Sequence, residues 1–273
     1  MAAHSPAVSR AVAALNALAR ASDGLTLSEL ARETGEPKST LHGILATLVE
    51  AGLLVRDGAT KRYRLGPHLL ALAGAYARQS DLLRAFGEVA RPLARELGET
   101  IQLAILQGRD VLYIGKQEGT QWVRLASEVG TRLPAHATSL GKCLLAWLPP
   151  EELERLLAAG PLVALTPRTI TDPDILRAEL AQVRARGYAI DRGETLPDLW
   201  CFGAPVRDAQ GAVVAALSIS VPVTRIASER IDELIAAARR AATELSLRLG
   251  YCDMVTAEGE AVIEDVQRRR VAP

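Results

Sequence analysis

The stretch TGEPKSTLHGILATLVEAG, Thr34 to Gly52, decides how the chain is read. Pro37 suits the first position of a helix, where its missing N–H would have no partner anyway. Leu41, Ile44, Leu45, Leu48 and Val49 recur at helical spacing and form one apolar stripe. Gly52 ends the helix, because glycine accepts the left-handed backbone that a helix C-terminus favours. At roughly 100° per residue, Ser39, Gly43, Ala46, Thr47 and Glu50 point away from the stripe. Thr40 and His42 flank them, and Lys38 sits in the first turn. An outer face so small, polar and weakly charged is unusual for a helix that only meets water. It fits a helix lying in a groove of DNA.

The neighbouring residues support that reading. Thr26-Leu27-Ser28-Glu29 has the spacing of a capping box, so a short helix starts there and ends at Thr34-Gly35. Helix, tight glycine-containing turn and helix make a helix-turn-helix. Downstream, LLVRDGATKRYRLG (Leu53 to Gly66) reads as two short strands around Asp57-Gly58, with Arg56, Lys61, Arg62 and Arg64 in or beside the turn. A basic hairpin after a recognition helix suits a wing resting on phosphates. Cap, turn, charge and order agree, which favours this over a generic helical hairpin followed by a surface hairpin.

The segment from Leu27 to Gly66 resembles the winged helix-turn-helix of the IclR family of bacterial transcription regulators. LPAHATSLGKCLLAWLP, LTPRTITD, VRARGYAIDRGE and APVRDAQGAVVAALSIS resemble, in order, that family's effector-binding domain. The resemblance covers roughly residues 8 to 250. It implies an α + α+β chain: a winged helix-turn-helix over 5–66, a linker helix over 67–80, and a GAF-like effector-binding domain over 81–250. Residues 251–273 lie past it and receive no role. The implied function is a ligand-responsive transcription regulator that is not an enzyme and needs no cofactor. Its implied partners are double-stranded DNA with a near-palindromic operator and a small organic-acid effector, aliphatic or aromatic. The implied assembly is a homodimer or a dimer of dimers. Carried over position by position, the DNA contacts are Ser28, Lys38, Ser39, Thr40, His42, Gly43, Thr47, Lys61 and Arg62. The effector pocket takes Ser139, Leu140, Asp191, Cys201, Ser218 and Ser220, with apolar walls from Trp122, Leu133 and Leu199. Three departures stand out. Trp122 replaces an expected aliphatic residue. Gly43 stands where relatives carry an arginine in a KSTxHR pattern. Glu36 replaces an apolar residue and adds a negative charge near the helix start, which is expected to lower phosphate affinity there.

Composition agrees with two folded domains. The 273 residues are 49% hydrophobic and 23% charged, enough for proper cores and unlike a disordered chain. No apolar run reaches the length of a membrane span. The formal net charge of zero hides an asymmetry: residues 1–80 hold nine Lys and Arg against six Asp and Glu, the remainder 23 against 26. The basic excess lies where DNA is expected. Residues 1–22 lack acidic groups, as transit peptides do, but Val8, Ala11, Val12, Leu15 and Leu18 read better as the packing stripe of a first helix. Cys143, Cys201 and Cys252 are far apart, which suits reduced thiols in a cytoplasm.

Beyond the DNA head, His68 to Gln79 reads as the linker helix, expected to pack on the first domain or to pass a dimer rearrangement to it. Asp81 to Gly98 is a further helix. From Glu99 the apolar period becomes two, giving a hairpin turning at Gln107 to Asp110 and a third strand at WVRLASE. Helices follow at Thr138–Leu148, Glu151–Ala158 and, capped by Asp172-Pro173, on to Arg186. A strand at Tyr188–Arg192 and a hairpin of Cys201–Arg207 with Ala212–Val221 precede a last helix from Ala227 to Leu249. Hairpins with helices packed on one side make an α+β domain.

The helix starting near Thr138 offers free N–H groups that suit a carboxylate or phosphate at Ser139 and Leu140, although an ordinary capped helix accounts for the pattern equally well. Cys201, Ser218 and Ser220 can share one sheet face, although by period alone a core thiol and backbone-bonded serines are the plainer account. Asp191 follows an apolar run and needs a partner if buried. The same residues leave two other functions open: an enzyme with Cys201 as nucleophile beside His136 and Asp191, and a metal sensor using Asp191, Cys201 and His136. No CxxC or HExxH spacing supports either.

Overall fold

In the computed structural model, which describes residues 5–120 and 128–252, the chain divides after Ser80 into two units. The first contains α1 (Pro6–Ala19), α2 (Leu27–Thr34), α3 (Lys38–Glu50), β1 (Leu54–Arg56), β2 (Tyr63–Leu65) and α4 (His68–Gln79). The capping box forms: Thr26 Oγ accepts from the Glu29 N–H, and the Glu29 carboxylate accepts from the Thr26 N–H at 2.7 Å. Gly35 closes α2 at φ 71°, leaving Pro37 as an extended N-cap rather than the first helical residue. Leu30, Leu41, Leu45 and Leu48 meet Leu18, Leu54 and Tyr63 in a small core.

The structure modifies two readings of this unit. On α1, Leu18 is buried and Ala11 and Leu15 pack partly buried against the core as expected, joined by Ala14 and Ala17, while Val8 and Val12 are 61% and 50% exposed. Small alanines let α1 lie close to its neighbours, and the valines fall on the far side. Of the two roles open to the linker helix α4, packing on the first domain is limited to its first turn, where the His68 N–H donates to the Gly52 carbonyl: none of its residues is buried, and Leu70 is 77% exposed.

The second unit runs α5 (Asp81–Leu97), β3 (Thr100–Gln107), β4 (Asp110–Gln117), β5 (Arg132–Pro134), α6 (Ser139–Ala146), α7 (Pro150–Ala158), α8 (Pro173–Arg186), β6 (Ala189–Arg192), β7 (Leu199–Arg207), β8 (Val213–Pro222) and α9 (Ser228–Arg248). Among the described residues the strands form one antiparallel sheet in the order β5-β4-β3-β8-β7-β6. The expected WVRLASE strand lies outside the described residues. No helix among them is long and apolar enough to cross a membrane.

Alternation along β8 explains the layering. Ala215, Leu217, Ile219 and Val221 face α5 and α9 in one core. Ala216 belongs to a second core with Leu140, Leu144, Leu176 and Leu180 of α6 and α8. The sheet is therefore covered on both faces, not one as the sequence suggested. The two-residue period keeps consecutive side chains on opposite faces, so an apolar face under α5 and α9 leaves Ser218 and Ser220 on the side of α6. Register then aligns polar groups across strands. Asp191 opposes Cys201, Cys201 opposes Ser220, and Ser218 lies between Gly203 and Gln102.

The Glu29 cluster gives a test of the first unit. Hydrogen bonds from the Thr26 backbone and hydroxyl, then the Arg62 charge, hold the Glu29 carboxyl below its ordinary range. A depressed carboxylate contributes stability that is present above the unfolded-state value and lost as pH falls through the folded-state one. Thermal melts of residues 1–80 are expected to lose stability on acidification. Glu29→Gln should start lower at neutral pH and show a flatter acid limb; an unchanged limb would remove the cluster from this role.

Candidate functional site

The candidate residues lie on two surfaces, one in each unit. On the first, Lys38, Ser39, His42, Gly43, Ala46, Thr47 and Glu50 are exposed and Thr40 is partly so, which reproduces the outer face read from the helical wheel. Ser28 on α2 is also exposed. A Cβ placed on Gly43 would meet nothing within 4 Å, so no packing demand within the unit holds a glycine there. Glu36 is paired with Arg10 (Nε–Oε2 2.7 Å), and this cation offsets the repulsion expected from an unpaired carboxylate near the start of α3. In the wing, Lys61 is exposed and adopts φ 56°, while Arg56 lies 5.4 Å from the Tyr63 ring centroid. Arg62 points inward instead. Its guanidinium donates to the Gly24 carbonyl at 2.8 Å and to both Glu29 oxygens at 3.0 and 3.2 Å. It braces the hairpin against the cap of α2, and a phosphate would compete with that pairing.

The second surface is a cavity of about 300 Å³ on the α6 side of the sheet. The start of α6 forms its roof. Thr138 is the N-cap, its hydroxyl accepting from the Gly141 N–H at 2.8 Å. That leaves the first-turn N–H groups of Ser139 and Leu140, two residues that line the cavity, without partners inside the helix. The helix reaches the sheet because β7 carries Gly203 there: a Cβ would come 2.9 Å from the Ser139 carbonyl. Of the residues expected from sequence, Leu133, Ser139, Leu140, Asp191, Leu199, Cys201 and Ser218 line this one cavity. The Ser139 and Ser218 hydroxyls are buried without a hydrogen-bond partner. Such groups carry a desolvation cost that a polar ligand would relieve.

Ser220 stands one layer back. Its hydroxyl donates to Gln102 Oε1 at 3.1 Å, so the Cys201 thiol, 3.3 Å away, is the donor in their contact. Trp122 lies outside the described residues. Sequence reading missed Gln102, Tyr113, Thr131, Leu165, Thr195 and Leu196, which with the N-cap Thr138 complete the lining. Thr195 alone had a local signal, since it follows Asp191 by four residues across the Gly193 turn. Its Oγ lies 2.7 Å from Asp191 Oδ2.

An ion pair absent from the sequence reading fixes the far wall. Lys142 of α6 is 1% exposed, donating to the Ile190 carbonyl at 2.7 Å and to the Glu194 carboxylate. Burial pushes the Asp191 carboxyl above its ordinary range, against opposing effects from Thr195, the Glu194 N–H and Lys142. Burial pushes the Cys201 thiol up as well, the opposite of what an activated nucleophile needs. His136 does not join them. Its Nε2–H donates to the Val163 carbonyl at 3.0 Å, and burial lowers its pKa. Among the described residues no three His, Cys, Asp or Glu side chains gather at one point that could hold a metal. The nucleophile and metal-sensor alternatives therefore have no constellation here.

Comparison with known proteins bears on both surfaces. Residues 7–58 match the family described as the IclR helix-turn-helix domain, and residues 74–247 match bacterial transcriptional regulator IclR C-terminal. The chain is 38% identical over 244 residues to the HTH-type transcriptional regulator BhcR of Paracoccus denitrificans, covering 88% of this chain and 86% of that one. It is 33% identical to the transcriptional repressor IclR of Escherichia coli, covering 89% of each. Among solved structures, an IclR transcriptional regulator from Alicyclobacillus acidocaldarius matches with a TM-score of 0.83 at 30% identity, covering 91% of this chain and all of that one. An IclR homolog from Microbacterium hydrocarbonoxydans, complexed with 4-hydroxybenzoate, matches with a TM-score of 0.72 at 32% identity, covering 89% and 98%.

Gly43 supplies the test for the first surface. With open space around its Cα, Gly43→Ala is expected to raise the stability of the DNA head by about 1 kcal/mol, the helix-propensity difference, as read by urea unfolding. A destabilised variant would mean that the backbone at Gly43 is under a constraint absent from the free domain.

Proposed function

The chain belongs to the IclR family of DNA-binding transcription regulators, and on that premise we propose that a small monocarboxylic acid filling the cavity under α6 switches its hold on DNA. The observation that carries this reading is the pairing of an open helix start with two partnerless buried hydroxyls in one enclosed space. The effector carboxylate sits on the Ser139 and Leu140 N–H groups, with the Ser139 and Ser218 hydroxyls donating to it. Its apolar part lies against Leu133, Leu165, Leu196 and Leu199. A few placed polar groups on an otherwise apolar wall are what a small-molecule site needs. The 4-hydroxybenzoate held by the Microbacterium hydrocarbonoxydans homolog is an acid of this kind.

On the DNA side, α3 enters the major groove with Lys38, Ser39, Thr40, His42, Gly43 and Thr47. Ser28 and Lys61 reach the backbone, and Arg62 serves chiefly to hold the wing. One such head reads about half a site, so the functional unit is a homodimer, or a dimer of dimers, on a near-palindrome. The exposed Leu70, Leu72 and Tyr76 of α4 support self-association of the chain. Ligand binding biases two arrangements of that assembly by no more than its difference in affinity for them.

A thermal-shift screen of small carboxylic acids, followed by DNA binding with the best hit, tests the proposal. Ser218→Leu, which fills the cavity, is expected to leave basal DNA affinity unchanged and to abolish the response. Ser218→Ala, which removes only the hydroxyl, should weaken the response about tenfold, in line with one charge-assisted hydrogen bond. A normal response in both variants would move the effector elsewhere.

A further inference from the structure

The Thr195 hydroxyl lies 2.7 Å from Asp191 Oδ2 and 2.9 Å from the Ala137 carbonyl oxygen. A hydroxyl has one proton to give. If Asp191 were ionised, both neighbours would be acceptors competing for it, and either Asp191 Oδ2 or the carbonyl of fully buried Ala137 would lose the hydroxyl proton. A proton on Oδ2 completes the chain: Asp191 Oδ2–H donates to Thr195 Oγ, and Thr195 Oγ–H donates to Ala137 O. Oδ1 remains free to accept the Glu194 N–H at 2.6 Å. We propose that Asp191 stands as the neutral acid in the folded protein, so that the pocket admits a monoanion and loses affinity for it as pH rises.

The charges facing Asp191 agree. From α6, Lys142 is the nearby cation, but its ammonium is engaged by Glu194 and the Ile190 carbonyl. Those two side chains cancel, leaving no cation to balance a second buried carboxylate. From β7 and β4, Cys201 and Tyr113 are neutral groups whose own protons are held more tightly. His136, before α6, is neutral and turned to Val163. Arg168 lies outside the loop, on the carbonyls of Arg192 and Pro197, and Glu179 of α8 is paired with Arg186. Burial raises the Asp191 carboxyl in the same sense and outweighs the Thr195 hydroxyl, the Lys142 charge and the N–H groups of Glu194 and Thr195, which act the other way.

A neutral Asp191 can share the cavity with a carboxylate; an ionised one repels it. A raised acid is protonated below its folded-state value and loses that proton above it, so affinity for an anion falls by up to tenfold per pH unit beyond that point. The affinity half of the inference rests on the carboxylate reading of the pocket, whereas the state of Asp191 does not.

The two are separated by experiment. Infrared difference spectra of the full chain, wild type minus Asp191→Asn at neutral pH, are expected to show the carbonyl stretch of a protonated carboxylic acid. Thr195→Val should shift that band to higher frequency by removing its acceptor, and this shift decides the matter if Asp191→Asn fails to fold. Only carboxylate stretches, unmoved by Thr195→Val, would overturn the inference. Calorimetric titration with benzoate and with pyruvate should then give affinities that fall with rising pH in wild type and stay level in Asp191→Asn. A level wild-type profile would overturn the coupling. Failure of both acids to bind at any pH would overturn the carboxylate reading, and the coupling with it, while the infrared band still reports on Asp191.

Discussion

Lys142 is the constraint on which the effector domain turns. An ammonium that is 1% exposed must have anionic and carbonyl partners, because an unpaired buried charge costs several kcal/mol. Glu194 and Ile190 supply them. Meeting that demand ties α6, from one crossing of the sheet, to the turn after β6, from another. The tie brings Asp191 and Thr195 beside Ser139. Gly203 removes the side chain that would hold the helix off the sheet. The pocket is thus a by-product of satisfying one lysine, and its polar groups face inward because the same contact closes the space around them.

The DNA head solves a smaller version of the same problem. Glu29 receives the Thr26 N–H, the Thr26 hydroxyl and both terminal nitrogens of Arg62. One carboxylate therefore joins the start of α2 to the wing. The recognition helix is held by the leucines beneath it, which leaves its outer face free of structural duties. Gly43 is the clearest case, since nothing in the domain requires it.

What could be read from the sequence was what depends on near neighbours. The Thr26–Glu29 box, the Gly35 and Gly52 stops, the turn at Gln107–Asp110 and the Asp172 cap are each set by residues within a few positions, and all are present. Boundaries moved by a residue or so, as at Pro37. What escaped depends on distance. Lys142 drew no reading from the sequence and is buried with a partner 52 residues on. Arg62 looked free and is held across 33 residues. Tyr113 and Thr131 enter the pocket from the other end of the sheet, and no periodicity reports that. The expectation of helices on one side failed for a related reason: a run such as Ala215 to Val221 is buried on both faces, and alternation between alanine, serine and larger residues hides the second layer.

The central claim is that an anion at the start of α6 controls DNA binding at a distance. The most direct measurement follows the backbone amides of Ser139 and Leu140 by nitrogen-15 NMR while the best carboxylic acid from a screen is titrated into the DNA-bound protein. The account predicts that both amide protons shift downfield, as hydrogen bonding to a carboxylate requires, and that they saturate along the same curve as the change in DNA binding. DNA release with both amides unmoved would contradict it.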